Sequence, residues 1–224
     1  EFRRWQEHSS TAIKGQSLDM NNQPVAKVSW EQAALYCNWL SRQEGLPPFY
    51  QEVDGVVSGF NWDSHGYRLP TEAEWAWAAK IDTAGNPRVF PWNSNLYPPL
   101  QIADNYADQS ASRFLNFTIA NYNDNYAVSA DIGSFKPNSK GLYNMSGNVA
   151  EWVNDYYDIR PHRGEPLIDP RGPQSGNRHV IRGASWALGS RTELRLSYRD
   201  AGNDGRLDVG FRLARYVDKA GAQL

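Results

Sequence analysis

The sequence predicts a largely irregular α+β domain, and three observations carry that expectation. Its 224 residues include nine tryptophans, twelve tyrosines and eight phenylalanines beside thirteen prolines and eighteen glycines, so many large rings must be held by many turns. Only two stretches combine helical apolar spacing with a complete N-terminal cap. The last third breaks into short strand-like phrases separated by Gly, Asp and Asn. A hydrophobic content of 40% is enough for one substantial core, and no linker or repeat divides residues 1–224, so a single domain is expected.

In "PVAKVSWEQAALYCNWLSRQEGLPP", Ser29 is placed to cap a helix and Gln32 to complete a capping box, with Trp30, Ala33, Ala34, Cys37 and Leu40 on one stripe. Gly45 and Pro47 stop it. In "YRLPTEAEWAWAAK", Thr71 and Glu74 repeat the box, Leu69 can staple the entry, and Trp75, Ala78 and Ala79 turn toward a core. "VVSGFNW" and the start of "PVAKVSW" read as extended pieces. From Asp82 to Asn138 periodicity fades into an aromatic-rich, polar text, which predicts a long ordered loop fixed by something other than a backbone ladder; a bound cation is one candidate. "HVIRGASWALGS", "LRLSYRDAG" and "DVGFRLARYV" read as three short strands.

A net charge of −2 without any basic stripe argues against nucleic acid as a partner, and no apolar run approaches the ~20 residues of a spanning helix, so no membrane insertion is expected. Cys37 is the single cysteine, which excludes an intrachain disulfide or a paired-thiolate metal site and suits a small core residue. His8, His65, His162 and His179 lack metal-site clustering and read as surface or hydrogen-bonding residues.

Four ordered phrases, "PVAKVSWEQAALYCNWL", "YRLPTEAEWAWAAK", "GLYNMSGNVAEWVNDYY" and "VIRGASW…GFRLAR", resemble the formylglycine-generating enzyme, or sulfatase-modifying factor, superfamily from Val25 to Arg215. The resemblance implies a C-type-lectin-like fold with a few helices, a small antiparallel sheet and long loops. Family domains usually begin with a strand-rich segment before the equivalent of "EFRRWQEH", and that segment is expected to lie outside this numbering.

The resemblance also implies calcium. One site would use Asn144, Gly147, Val149 and Glu151, the glycine and valine through their carbonyls; a second would use Asn105, Tyr106, Asp124 and Tyr126. Calcium takes six to eight oxygen donors at flexible geometry, which suits such turns. Read from the residues alone, Asn144 and Gly147 only shape a tight turn, while Glu151 begins a helix or pairs with an arginine. "RDAGNDGRLD" reads as a solvated turn.

Family oxidases bind copper through two cysteines after a glycine-serine-aromatic phrase. Set on "RGASWAL", those positions fall at Leu188 and Glu193, so no copper is expected and no formylglycine chemistry. Two function classes remain open. One is a calcium-stabilised binding or scaffold module with a groove lined by Trp186, Glu193, Arg195 and Arg199, taking a peptide, a protein or a small polar ligand. The other is an oxidoreductase like the pyoverdine-maturation or ergothioneine-synthase branches, with a metal or cofactor from a partner domain. Arg182 and Arg212 are expected to knit strand ends to buried carbonyls or carboxylates. Many superfamily members are regions of multidomain bacterial proteins, so the resemblance leaves room for other domains in a longer chain; it does not fix the compartment, for which an extracytoplasmic or periplasmic setting is favoured.

Overall fold

The computed structural model describes residues 1–9, 12–159, 164–165 and 167–217; His162 lies outside them. Among the described residues, three helices, α1 (Phe2–Trp5), α2 (Trp30–Gln43) and α3 (Glu72–Lys80), are set among eight short strands. These are β1 (Ala12–Ile13), β2 (Gln16–Ser17), β3 (Tyr50–Val53), β4 (Val56–Phe60), β5 (Ala150–Tyr156), β6 (His179–Arg182), β7 (Arg199–Gly202) and β8 (Val209–Phe211). β1–β2 and β3–β4 are antiparallel hairpins, and the main sheet runs β7-β6-β5-β8. That sheet is mixed, because β5 and β8 pair in parallel while the other two pairings are antiparallel.

Both major helices start where their caps predict. Ser29 accepts from the Gln32 amide and Gln32 returns a bond to the Ser29 amide; Thr71 and Glu74 do the same for α3. Each box satisfies two N–H groups that the first turn would leave orphaned. Glu74 is further held by both Nη atoms of buried Arg68, each at 2.7 Å.

β5 organises the interior. Strand side chains alternate faces, and here Ala150 and Trp152 join the α2 cluster with Trp30, Cys37, Tyr50 and Val209, while Val153 joins the α3 cluster with Trp75, Met145 and Val180. The polar residues of β5 obey the same alternation. Asn154 accepts from the Tyr50 hydroxyl at 3.0 Å on the α2 side, and Asp155 accepts from the Glu72 amide at the start of α3 at 2.8 Å. The two helices therefore cover opposite faces of one strand. Two tryptophans lock the α2 face, Trp30 Nε1 donating to the Val153 carbonyl and Trp152 Nε1 to the Val28 carbonyl, each at 2.9 Å. The "PVAKVSW" segment, expected to be extended, forms no strand and is fastened by such bonds to other loops, as where the Lys27 amide donates to the Arg206 carbonyl.

Residues 82–138 hold no strand and one short 3₁₀ turn, Gln109–Ala111. Cys37 is fully buried, and burial pushes its thiol up, as a core residue requires. His179 stacks on the Trp30 ring at 3.5 Å between centroids, and burial pushes its imidazole down to about 4.

Because the unfolded chain binds the proton near pH 6.5 and the folded chain does not until about 4, the His179 contribution is present above pH 6.5 and is lost as pH falls toward 4. Relative to His179→Gln, the wild type should lose about 2 kcal/mol between pH 7 and pH 5, read from urea melts. Asp155, which burial pushes up to about 6, acts in the opposite sense in both proteins and cancels in the comparison.

Candidate functional site

The long loops meet the end of the sheet at a junction of carboxylates and amides. Asp104 is its centre. One of its oxygens, Oδ1, accepts from the Asn105 amide at 2.9 Å and from Asn144 Nδ2 at 2.7 Å, so a single buried carboxylate joins the two expected calcium sets. Burial pushes Asp104 up to about 7, against the lowering effect of the Asn105 and Asn144 bonds and of the Arg212 charge. Gly147 lies against it so tightly that a Cβ at that position would stand 2.5 Å from the Asp104 carboxyl carbon, which excludes any side chain there.

Asn148 ties three loops at once. Its left-handed backbone, φ 69°, lets the side chain bond both ways with Ala130, accepting from the amide at 2.8 Å and donating to the carbonyl at 3.1 Å. Its own amide donates to the Asn105 carbonyl, and its carbonyl accepts from Trp186. Asp124 braces the neighbouring loop, each carboxylate oxygen accepting one amide at 2.9 Å, from Tyr106 and from Tyr126. Burial pushes Asp124 up to about 7. Its own amide donates to Asp108, which also accepts from Ser110.

Asn105 is wholly buried. Its Nδ2 donates to the Val128 carbonyl at 2.8 Å, but its Oδ1 has no hydrogen-bond partner among the described residues. A buried oxygen left so costs about 1–3 kcal/mol unless something else satisfies it. Asn105, Tyr106, Asp124 and Tyr126 are thus brought together, and they leave an oxygen acceptor free.

The Asn144 set is arranged differently. Of the readings open for Glu151, the arginine pair is what forms: Arg212 Nε and Nη2 each donate at 2.6 Å, and Trp75 Nε1 donates at 2.8 Å. Glu151 lies in strand β5, not at the start of a helix, and Trp152 beside it is fully buried. Asn144 keeps the expected turn geometry at φ 52°. Arg182 also serves its expected role, donating to the Leu196 and Tyr198 carbonyls at 2.8 and 2.7 Å.

The expected groove does not form as a unit. Trp186 is 2% exposed and packs with Leu18, Ala26, Val128 and Val149, so it is a core ring. Glu193 closes its own turn, Oε2 accepting from the Ser190 amide at 2.9 Å. Arg199 pairs with Glu72 at 2.6 Å and lies over the Tyr157 ring. Arg195 lines a cavity with Val89, Phe90 and Arg191. The four were drawn from one stretch of sequence, but the turn at Ser190 and strand β7 send them to different sides. In "RDAGNDGRLD", Arg206 pairs with Asp200 and Asp208, which makes a braced turn.

At the positions set against the family's copper thiolates, Leu188 packs with Phe90, Tyr106, Ile119 and Leu194, and Glu193 is occupied as described. Neither offers a soft donor, and Cys37 sits in the α2 core, so these residues do not fit a Cu(I) centre.

Asp104, Asn148 and the Trp75 bond to Glu151 escaped the sequence reading, whereas Arg212 serves its expected role on a buried carboxylate, that of Glu151. "IADNYAD" offered a signal for Asp104 in the acid beside Asn105; the others depend on contacts far apart in the chain.

Comparison with known proteins gives a consistent family. The sulfatase-modifying factor enzyme 1-like domain matches residues 3–217. The chain is 33% identical over 170 residues to the formylglycine-generating enzyme of Mus musculus, covering 75% of this chain but only 37% of that protein. Among solved structures, Treponema denticola variable protein 1 superposes with a TM-score of 0.74 at 28% identity, covering 96% of this chain and 80% of that one. PvdO from Pseudomonas aeruginosa superposes with a TM-score of 0.61 at 26% identity, covering 92% and 67%.

The buried Glu151–Arg212 pair yields a stability test. Arg212→Leu strands a carboxylate that is 7% exposed and should cost about 3–5 kcal/mol in urea unfolding. Adding Glu151→Gln to that variant should recover more than half of the loss.

Proposed function

Since the chain belongs to the sulfatase-modifying factor enzyme 1-like family, we propose that it acts as a calcium-stabilised binding or scaffold domain that does not itself oxidise a cysteine. The observation that carries this reading is the fate of the two thiolate positions. Leu188 is part of an apolar cluster and Glu193 is bound to its own turn, so the soft ligands that would hold Cu(I) are replaced by a hydrocarbon and a hard, occupied oxygen donor.

Calcium is proposed at Asn105, Tyr106, Asp124 and Tyr126. The partnerless Asn105 Oδ1 supports it, because a hard divalent cation satisfies an amide oxygen that no protein donor reaches, and the Asp124 carboxylate supplies the charge. The Tyr106 and Tyr126 carbonyls would complete the protein donors. At the second set, Asn144, Gly147, Val149 and Glu151, any ion would share Glu151 with Arg212, so weight falls on the first. Bound there, calcium would neutralise a buried carboxylate and fix the 105–126 loops where the sheet does not reach. The partner is proposed to be a peptide, a protein or a small polar ligand, in an extracytoplasmic or periplasmic setting, with other domains in a longer chain.

Calcium in excess of its dissociation constant should raise the melting temperature by mass action on the folded state, about 2.7 kcal/mol at a hundredfold excess. Asp124→Asn should remove most of that gain, and identical melts in calcium and chelator would sink the site. A copper-loaded sample should show no oxygen-dependent conversion of a cysteine-containing sulfatase peptide, followed by mass spectrometry; turnover would overturn the reading.

A further inference from the structure

A cavity of about 530 Å³ lies beside the Ser190–Leu196 turn, apart from the amide and carboxylate junction, and its lining is Val89, Phe90, Asn95, Arg191, Thr192 and Arg195. It holds two guanidinium groups and no acid. Arg191 and Arg195 stand four residues apart on a turn fixed by the Leu194 amide donating to the Ser190 carbonyl at 3.1 Å. The Leu196 amide donates to the Val89 carbonyl at 2.9 Å, which ties Val89 of the lining to the end of that turn.

The two arginines are unspent. Both are exposed, neither forms an ion pair among the described residues, and the one side-chain bond they make is Arg195 Nη2 to Thr192 Oγ1 at 3.4 Å. Five buried or half-buried arginines elsewhere are by contrast committed: Arg68 to Glu74, Arg182 and Arg199 to Glu72, Arg206 to Asp200, Arg212 to Glu151. The nearest acid in sequence, Glu193, is turned back onto the Ser190 amide and is absent from the lining. The lining also offers apolar surface in Val89 and Phe90, and the Phe90 ring stacks on Trp92 at 4.7 Å.

We propose that this cavity binds a small organic oxoanion, a carboxylate or a phosphate ester carried on an apolar body, with Arg191 and Arg195 clamping the anion and Val89 and Phe90 receiving the body. The guanidinium fork matches planar or tetrahedral oxoanions bidentately. Thr192 and Asn95 add neutral donors at the same mouth. The volume lies within the range of small-ligand sites, which are apolar with a few converging polar groups. This inference rests on the binding-module reading and names a ligand chemistry for it.

Isothermal titration of the whole chain with benzoate, phenyl phosphate and uncharged benzamide tests it, and the first two probes separate a carboxylate site from a phosphate site. At least one anion should bind about tenfold or more tightly than benzamide, and Arg191→Gln with Arg195→Gln should lose about tenfold of that affinity. The double variant should melt as the wild type does, because neither side chain is buried or paired; if it melts lower, Arg191→Lys with Arg195→Lys, which keeps charge but not the fork, must still weaken binding. Failure of both anions to bind, equal binding of benzamide, or full affinity in the glutamine variant overturns the proposal. A calcium-induced melting shift without anion binding would remove this pocket and leave the binding-module reading, whereas turnover of the sulfatase peptide would remove that reading instead.

Discussion

One buried carboxylate, Glu151, holds the middle of this protein together. It sits on β5, the strand that both helices cover, and it is shared by an indole from α3 and a guanidinium from the residue after β8. A charge taken out of water must be paired and hydrogen-bonded, or its desolvation exceeds what packing can return. Here the pairing fixes three elements at one point. It clamps β8 beside β5 in the parallel register and presses α3 onto the same face. The indole is oriented by the bond, and its ring then fills the space between β5, β6 and the Met145 loop.

Beyond the sheet, side chains replace the backbone ladder. The residues from 82 to 138 carry almost no regular structure, yet Asp104, Asn105, Asp108 and Asp124 among them, and Asn148 beyond them, are all nearly inaccessible. Each satisfies amides or carbonyls that a strand would otherwise have paired, which is how a loop can be buried without orphaned polar groups. Asn105 Oδ1 is left without a hydrogen-bond partner among the described residues, as are the Tyr106, Ser129 and Ser146 hydroxyls and Trp186 Nε1; of these it is the amide oxygen that a hard cation would satisfy.

The two proposed ligand positions follow opposite electrostatic logic. At the junction, acids gather, and burial holds Asp104 and Asp124 well above the ordinary carboxylate range. In the cavity beside the Ser190 turn, two arginines and no acid are among the lining residues, and both arginines remain open to water. Leu188 packs against an apolar cluster that includes both Tyr106, one of the proposed calcium donors, and Phe90, which lines the proposed anion cavity.

The sequence by itself determined what is local. Both capping boxes span three residues and close through bonds between near neighbours, so Ser29, Gln32, Thr71 and Glu74 announce the helices directly. The three late strands were visible through their turns, and the ordered phrases carried the fold. β5 was not visible, because a strand buried on both faces shows no alternation of apolar and polar residues, and its acids and amide look like loop chemistry. Tertiary structure decided the partners. Glu151 meets Arg212 from 61 residues away, and Asn144 meets Asp104 from 40. Trp186, which composition allowed in a groove, went to the core because the loops around Val128 and Val149 left a hydrophobic space of its size. Charge and shape at such points are set by which distant segments converge, and no single window of sequence contains that information.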